Sequence, residues 1–240
     1  MFFKKWTSPN FEDRIDDTRP SLIILHYTGM KTAAEALARL CDPASKVSAH
    51  YVVEETGKIH ALVDDVNRAW HAGKSYWAGE RDVNSHSIGI EIVNPGHEFG
   101  YRAFPEAQIA AVVKLCKKLM KRHGIAPVNI LAHSDVAPER KIDPGELFPW
   151  REMAGAGVGF WPEPLAMDHD AVEDVLRGQG VFLELLWQVG YDPEAGEAAV
   201  IRAFHRHFYP EKFKDGEEPD APDSLSAARL LALVRARDVL

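Results

Sequence analysis

Residues 131–145, LAHSDVAPERKIDPG, put His133 at the end of a short apolar run and follow it with Lys141 and Asp143 on one polar loop. A second histidine, His26, ends a similar run at SLIILH and is followed by turn-like Tyr-Thr-Gly. Histidines at the ends of sheet strands can point into one site, because the loops there build pockets. Singly, each also reads as a structural histidine with satisfied ring nitrogens. The loop after His133 shifts that balance. Asp143 lies ten residues on and is held by Pro144-Gly145, and a proline restricts the backbone of the residue before it. Two imidazoles and one carboxylate match the three protein ligands of a catalytic zinc, whose fourth position is left to water.

Two more residues could complete such a site. Glu91 interrupts the apolar segment SIGIEIV, where a carboxylate is costly to bury unpaired. It reads either as the solvated face of an edge strand or as a general base, its pKa raised by partial burial. Lys141 reads either as a surface lysine or as the group that stabilises an oxyanion. His50 in SAHYVV and His71 in RAWHAG are open between simple hydrogen bonding and a substrate-binding role. His205 and His207 are two apart on a helical pattern, so they point to different faces and read as surface residues. His60, His86, His97, His123 and His169 show no partner pattern. The chain has no GxSxG, HExxH, Walker loop or strand-linked GxGxxG, which removes the commonest hydrolase and nucleotide alternatives.

The elements that must position these residues alternate between strand and helix patterns. SLIILHYT reads as a buried strand and KTAAEALARLCD as a short helix. SAHYVVEE and KIHALV flank Thr56-Gly57 as a hairpin. SIGIEIVN alternates Ile88, Ile90 and Ile92 on one face with Gly89, Glu91 and Val93 on the other. PEAQIAAVVKLCKKLMKRHG carries an apolar stripe of Ile109, Val112, Val113, Cys116, Leu119 and Met120 and stops at Gly124. The pattern predicts an α/β catalytic domain, a mixed central β-sheet flanked by helices.

After Trp150 the chain becomes Gly- and Pro-rich, then shows three helical patterns with no strand between them. Residues 1–167 hold 20 bases and 21 acids, whereas 168–240 hold 8 and 15. Both shifts suggest two units: a catalytic domain over 1–163 and a small all-α three-helix domain over 168–240, with Leu186, Phe204 and Leu231 inside it. A net charge of −8 argues against nucleic acid as partner, since phosphate binding needs a basic surface. Cys41 and Cys116 sit in helical patterns and read as reduced thiols. No apolar run is long enough to span a membrane. No secretory signal follows the N-terminal lysines. The expected compartment is therefore the cytoplasm, with the cell envelope as the alternative. Nothing in the sequence implies an oligomer.

ILHYT, SAHYVV, RAWHAG, NSHSIGIEIVNPG and AHSDVAPERKIDPG, in this order, resemble the zinc-dependent N-acetylmuramoyl-L-alanine amidases of the type-2 family, relatives of phage T7-type lysozyme and the peptidoglycan recognition proteins. The resemblance covers roughly residues 20 to 153. It implies one zinc ion on His26, His133 and Asp143, with Glu91 and Lys141 as catalytic residues, and peptidoglycan or muropeptides as substrate. Phage-type relatives carry a cysteine as third ligand and a catalytic tyrosine that would fall near Ala49. The aspartate here resembles the bacterial branch instead. The last seventy residues resemble, more loosely, that branch's three-helix peptidoglycan-binding module. Two rivals stay open: a recognition protein that binds peptidoglycan without cutting it, and a zinc peptidase on the same scaffold.

Overall fold

The computed structural model describes residues 4–238 except 16, 17, 179, 215 and 216; the last two residues of the helical pattern ending at 240 lie outside the described residues. Its centre is a six-stranded mixed sheet in the order β1 (Lys4–Lys5), β5 (Ile59–Ala61), β4 (Tyr51–Val53), β7 (Ser87–Ile92), β3 (Leu22–Tyr27), β8 (Ile130–Ala132). The predicted hairpin is present, with β4 and β5 antiparallel and Val52 opposite His60. β3 runs parallel to both β7 and β8. A separate ribbon pairs β2 (Phe11–Asp13) with β6 (Asn67–Ala69), and the one-turn helices α2 (Val83–His86) and α3 (Gly96–Phe99) precede and follow β7.

The period-2 alternation decides what each face does. Ile23 and Leu25 of β3 join Ile88, Ile90 and Ile92 of β7 in one core, covered by α4 (Glu106–His123) through Ile109, Val112, Leu115, Cys116 and Leu119. Gly124 (φ 72°) ends that helix in the left-handed conformation that glycine takes without strain. On the opposite face, α1 (Ala33–Cys41) covers Val52 and Val93 with Leu37 and Leu40. Thr32 and Glu35 close a reciprocal capping box at the start of α1. His26 and Glu91 belong to this second face, directly paired across β3 and β7. β7 lies between β3 and β4, so Glu91 is on an interior strand. The edge-strand reading is thereby excluded.

Beyond α6 (Trp150–Gly155) come α7 (Ala166–Asp170), α8 (Val172–Arg177), α9 (Val181–Val189), α10 (Glu197–Phe208) and α11 (Ser224–Asp238). The last three match the predicted helices, and two short ones precede them. Leu186 and Phe204 are fully buried, and Leu231 is partly buried. The helices do not enclose a core of their own, as the composition had suggested. Leu22, Ile24, Leu131 and Val136 share one continuous apolar cluster with Val172, Phe182, Leu186, Val200, Phe204 and Leu233. The physical reason is that the β3–β8 end of the second face is apolar and needs cover, while α1 packs on Val52 and Val93. Among the described residues, no helix is long and apolar enough to cross a membrane.

Candidate metal centre

His26, at the C-terminal end of β3, meets His133, the first residue of the one-turn helix α5 (His133–Val136) after β8. Their Nδ1 atoms lie 2.8 Å apart. Asp143 Oδ2 is 3.0 Å from His133 Nδ1 and 3.2 Å from His26 Nδ1. All three side chains are buried, and they form a group that could hold a metal ion. Bonds of about 2.0–2.1 Å in a tetrahedral zinc site put neighbouring ligand atoms roughly 3.3 Å apart. The triangle is close to that edge length without rearrangement.

The surrounding hydrogen bonds leave both Nδ1 atoms free to donate lone pairs. His133 Nε2–H donates to the Ala72 carbonyl at 3.1 Å, so its Nδ1 is bare. For His26 the tautomer follows along a chain. Ser87 Oγ uses its only proton on the Val83 carbonyl at 2.6 Å and therefore accepts from His71 Nε2–H at 3.3 Å. His71 Nδ1 is then bare and accepts from His26 Nε2–H at 3.1 Å. A ligand histidine whose second nitrogen is fixed in this way has its ring orientation set before any metal arrives. Gly89 makes room for the arrangement, since a Cβ there would collide with the His71 ring.

The loop 133–147 is held as one frame. Ser134 N–H donates to the Asp143 carbonyl at 3.0 Å, tying the two ligand-bearing ends together. Tyr101 Oη donates to the Pro144 carbonyl at 2.8 Å and accepts from Leu147 N–H at 2.9 Å. Gly145, at φ 85°, lies so close to that hydroxyl that a side chain would clash with it.

Electrostatics separate the roles of the two carboxylates. Burial pushes the Asp143 carboxyl up, but the two histidines facing it outweigh that and hold it well below the usual range. It is an anion, as a ligand must be. Glu91 goes the other way: burial, reinforced by the charge of Asp143, raises it well above an ordinary carboxyl, and Lys141 only partly offsets this. Its Oε2 is buried with no hydrogen-bond partner. A buried polar atom left unpaired costs stability and is expected where function demands it. Lys141 is half-buried on the ligand loop, and its charge acts on both Glu91 and His26.

His50 and His71 have both ring nitrogens engaged. His50 is fully buried; it accepts from Gly89 N–H at 2.9 Å and uses its other nitrogen on the Asn67 carbonyl at 3.1 Å. His71 is spent on His26 and Ser87. Both sit beside the three converging side chains with their ring nitrogens already engaged, and this arrangement adds no support to the substrate-binding expectation. The surface reading of His205 and His207 is also overturned, since both are buried within α10. His205 bonds the Pro219 carbonyl and Ser226 Oγ, while His207 reaches Asp135. The sequence reading missed Asp135 altogether. Its only signal was an acid two residues after a candidate ligand.

A family model described as N-acetylmuramoyl-L-alanine amidase matches residues 16–146. The chain belongs to that family. It is 37% identical to N-acetylmuramoyl-L-alanine amidase AmiD of Escherichia coli over 89% of this chain and 83% of that protein. It is 31% identical to the 1,6-anhydro-N-acetylmuramyl-L-alanine amidase AmpD of Escherichia coli, over 60% of this chain and 85% of the other. Among solved structures it is similar to a complex of Escherichia coli AmiD with anhydro-N-acetylmuramic acid-L-Ala-D-gamma-Glu-L-Lys. That match has TM-score 0.77 and 34% identity over 94% of this chain and 92% of the other. AmpDh3 of Pseudomonas aeruginosa, in complex with anhydromuramic pentapeptide, is similar at TM-score 0.80 and 32% identity, over 93% and 94% of the two chains. This amidase-family chain therefore resembles both relatives across its helical region as well as its sheet.

The buried histidines make a pH-dependent stability. Burial is the main cause that pushes His26, His50 and His205 down to about 4. In the unfolded chain each titrates near 6.5, so below that pH the unfolded state binds more protons than the folded one. Their contribution is complete above pH 6.5 and is lost as pH falls from 6.5 to about 4, at up to about 1.4 kcal/mol per pH unit for each ring. Melting of the metal-free protein at pH 7.5, 6 and 5 should show a falling Tm. A flat Tm across that range would show that these rings take up protons without unfolding.

Proposed function

We propose that the protein hydrolyses the amide between the lactyl group of N-acetylmuramic acid, or its 1,6-anhydro form, and the L-alanine of peptidoglycan stem peptides. The observation that carries this reading is the convergence of three buried ligand atoms beside a carboxyl whose buried Oε2 has no partner. The complexes of AmiD and AmpDh3 with anhydromuramic peptides support the substrate class.

His26, His133 and Asp143 would hold one zinc ion. Bound there, zinc polarises the scissile carbonyl and lowers the pKa of a water. Glu91 takes the proton from the attacking water and passes it to the leaving amine, a task for which a raised carboxyl pKa is suited. Lys141, whose charge acts on Glu91 and His26 from the same loop, would stabilise the oxyanion. His71 and His50 keep the His26 ring and the β7 backbone in place. The products are a free stem peptide and the sugar with its lactyl carboxylate.

The helical region 168–240 is read as a peptidoglycan-binding-like module on the cleaving unit 1–163. Its support is a groove of about 590 Å³ lined by Leu176, Phe182, Leu183 and Ile201. Its acid excess leaves any affinity for wall polymers to shape rather than charge.

Mass spectrometry of products from soluble anhydro-muropeptides and from intact sacculi, side by side, tests the assignment. Release of intact stem peptides is expected. Cuts within the peptide would make the protein a zinc peptidase, and binding without products would make it a recognition protein. Lys141→Ala should retain zinc and lower kcat by about a hundredfold, the scale of a removed oxyanion donor. Near wild-type turnover in that variant would assign the oxyanion to another group.

A further inference from the structure

Asp135 is a fully buried carboxylate that belongs to neither the ligand set nor the catalytic pair. It is the third residue of α5, the turn that begins with His133. Its Oδ2 accepts from Ala132 N–H at 2.7 Å and from His207 Nδ1–H at 2.7 Å, and its Oδ1 accepts from Tyr191 Oη at 2.7 Å. One donor comes from the turn itself. The other two come from the helical region, from α10 and from the residue after Gly190 at the end of α9. A buried carboxylate needs such donors, because leaving it unpaired is strongly destabilising.

Both distant donors are locked in place. Tyr191 packs edge-on against Trp77 with centroids 5.1 Å apart. Burial, with the charge of Asp135, raises its hydroxyl well above 10, so it stays protonated and donates. The His207 ring is stacked between Trp150 at 3.7 Å and Phe208 at 3.8 Å. The turn that Asp135 braces holds His133 directly. It also holds Asp143 through the bond from Ser134 N–H to the Asp143 carbonyl.

We propose that Tyr191 and His207 are positioning residues for the ligand pair His133 and Asp143, acting through Asp135, so that the C-terminal helices are part of the metal site's framework. The proposal rests on the metal reading above, but its geometry does not need the ion.

The test uses the full chain with Tyr191→Phe, His207→Phe and His207→Asn. His207→Phe keeps the aromatic stack and removes the N–H. His207→Asn keeps a donor near Nδ1 and removes the ring. Two readouts are taken: zinc affinity by competition with a chromophoric chelator, and hydrogen exchange of the peptide 131–144 in metal-free protein. Tyr191→Phe and His207→Phe should bind zinc about tenfold or more weakly, the scale of losses behind a metal ligand. Both should exchange faster in 131–144 while β7 stays protected. His207→Asn should stay near wild type on both measures. Unchanged exchange in Tyr191→Phe, or an Asn variant that loses more than the Phe variant, would overturn the proposal in favour of plain packing. If wild type bound no zinc, the metal reading would fail, and the exchange data alone would still decide the positioning.

Discussion

Metal-free protein should release no stem peptide, and added zinc should restore cleavage. Asp143→Ala should not be rescued at the same zinc concentration. The reason is the donor count. A catalytic zinc site is held by three protein ligands, and removal of Asp143 leaves only His26 and His133. It also removes the anion that offsets the cation among buried side chains. Substitutions of groups that merely orient a ligand cost 10–100-fold in metal affinity, so loss of a ligand itself should exceed about a hundredfold. Zinc bound only by the folded state raises its stability. Wild type should therefore gain Tm on titration with zinc while Asp143→Ala gains little. Full turnover in exhaustively chelated protein would sink the metal mechanism.

Glu91→Gln should keep both fold and zinc yet lose on the order of a hundredfold or more in kcat. The two side chains have the same shape, and Glu91 is not among the residues that converge on the metal position. An amide cannot accept the water's proton. The wild-type carboxyl is primed for that task by burial and by Asp143, which raise its affinity for a proton, and by an Oε2 left without a partner. Measuring kcat beside zinc content separates the two roles. Retained metal with collapsed kcat is the expected pair. Lost metal would make Glu91 a ligand support, and unimpaired kcat would remove it from the mechanism.

Much of the site is legible in the sequence because strand periodicity is local. The alternation in SIGIEI puts Glu91 on the face opposite Ile88, Ile90 and Ile92, and the short run LIILHY places His26 at the end of a buried strand. The Pro144-Gly145 pair marks a constrained loop, and the residue types on it name the chemistry. Family membership follows from the same motifs, in order. None of this needs a distance.

What the local pattern could not carry is anything set by partners distant in the chain. Whether β7 is an edge or an interior strand depends on which strands pair with it, and only the β4–β7–β3 order shows that Glu91 stands on an interior strand. The separation of His205 and His207 on the helix was read correctly, but the outer face of α10 is covered by Trp150 and the 219–226 segment, so both rings are buried. For His50 and His71, only the structure shows where the ring nitrogens go: to backbone, Ser87 and His26. The charge shift at residue 168 is a property of surfaces, and cores ignore it: Ile24 and Leu131 are buried against Leu186 and Phe204 because apolar area is covered by whichever apolar face is nearest. The sequence by itself supplied the residues proposed here to carry the chemistry. Tertiary packing decided which of them converge, which stand beside them, and that the helices after residue 166 reach back through Tyr191 and His207 to the turn that carries His133.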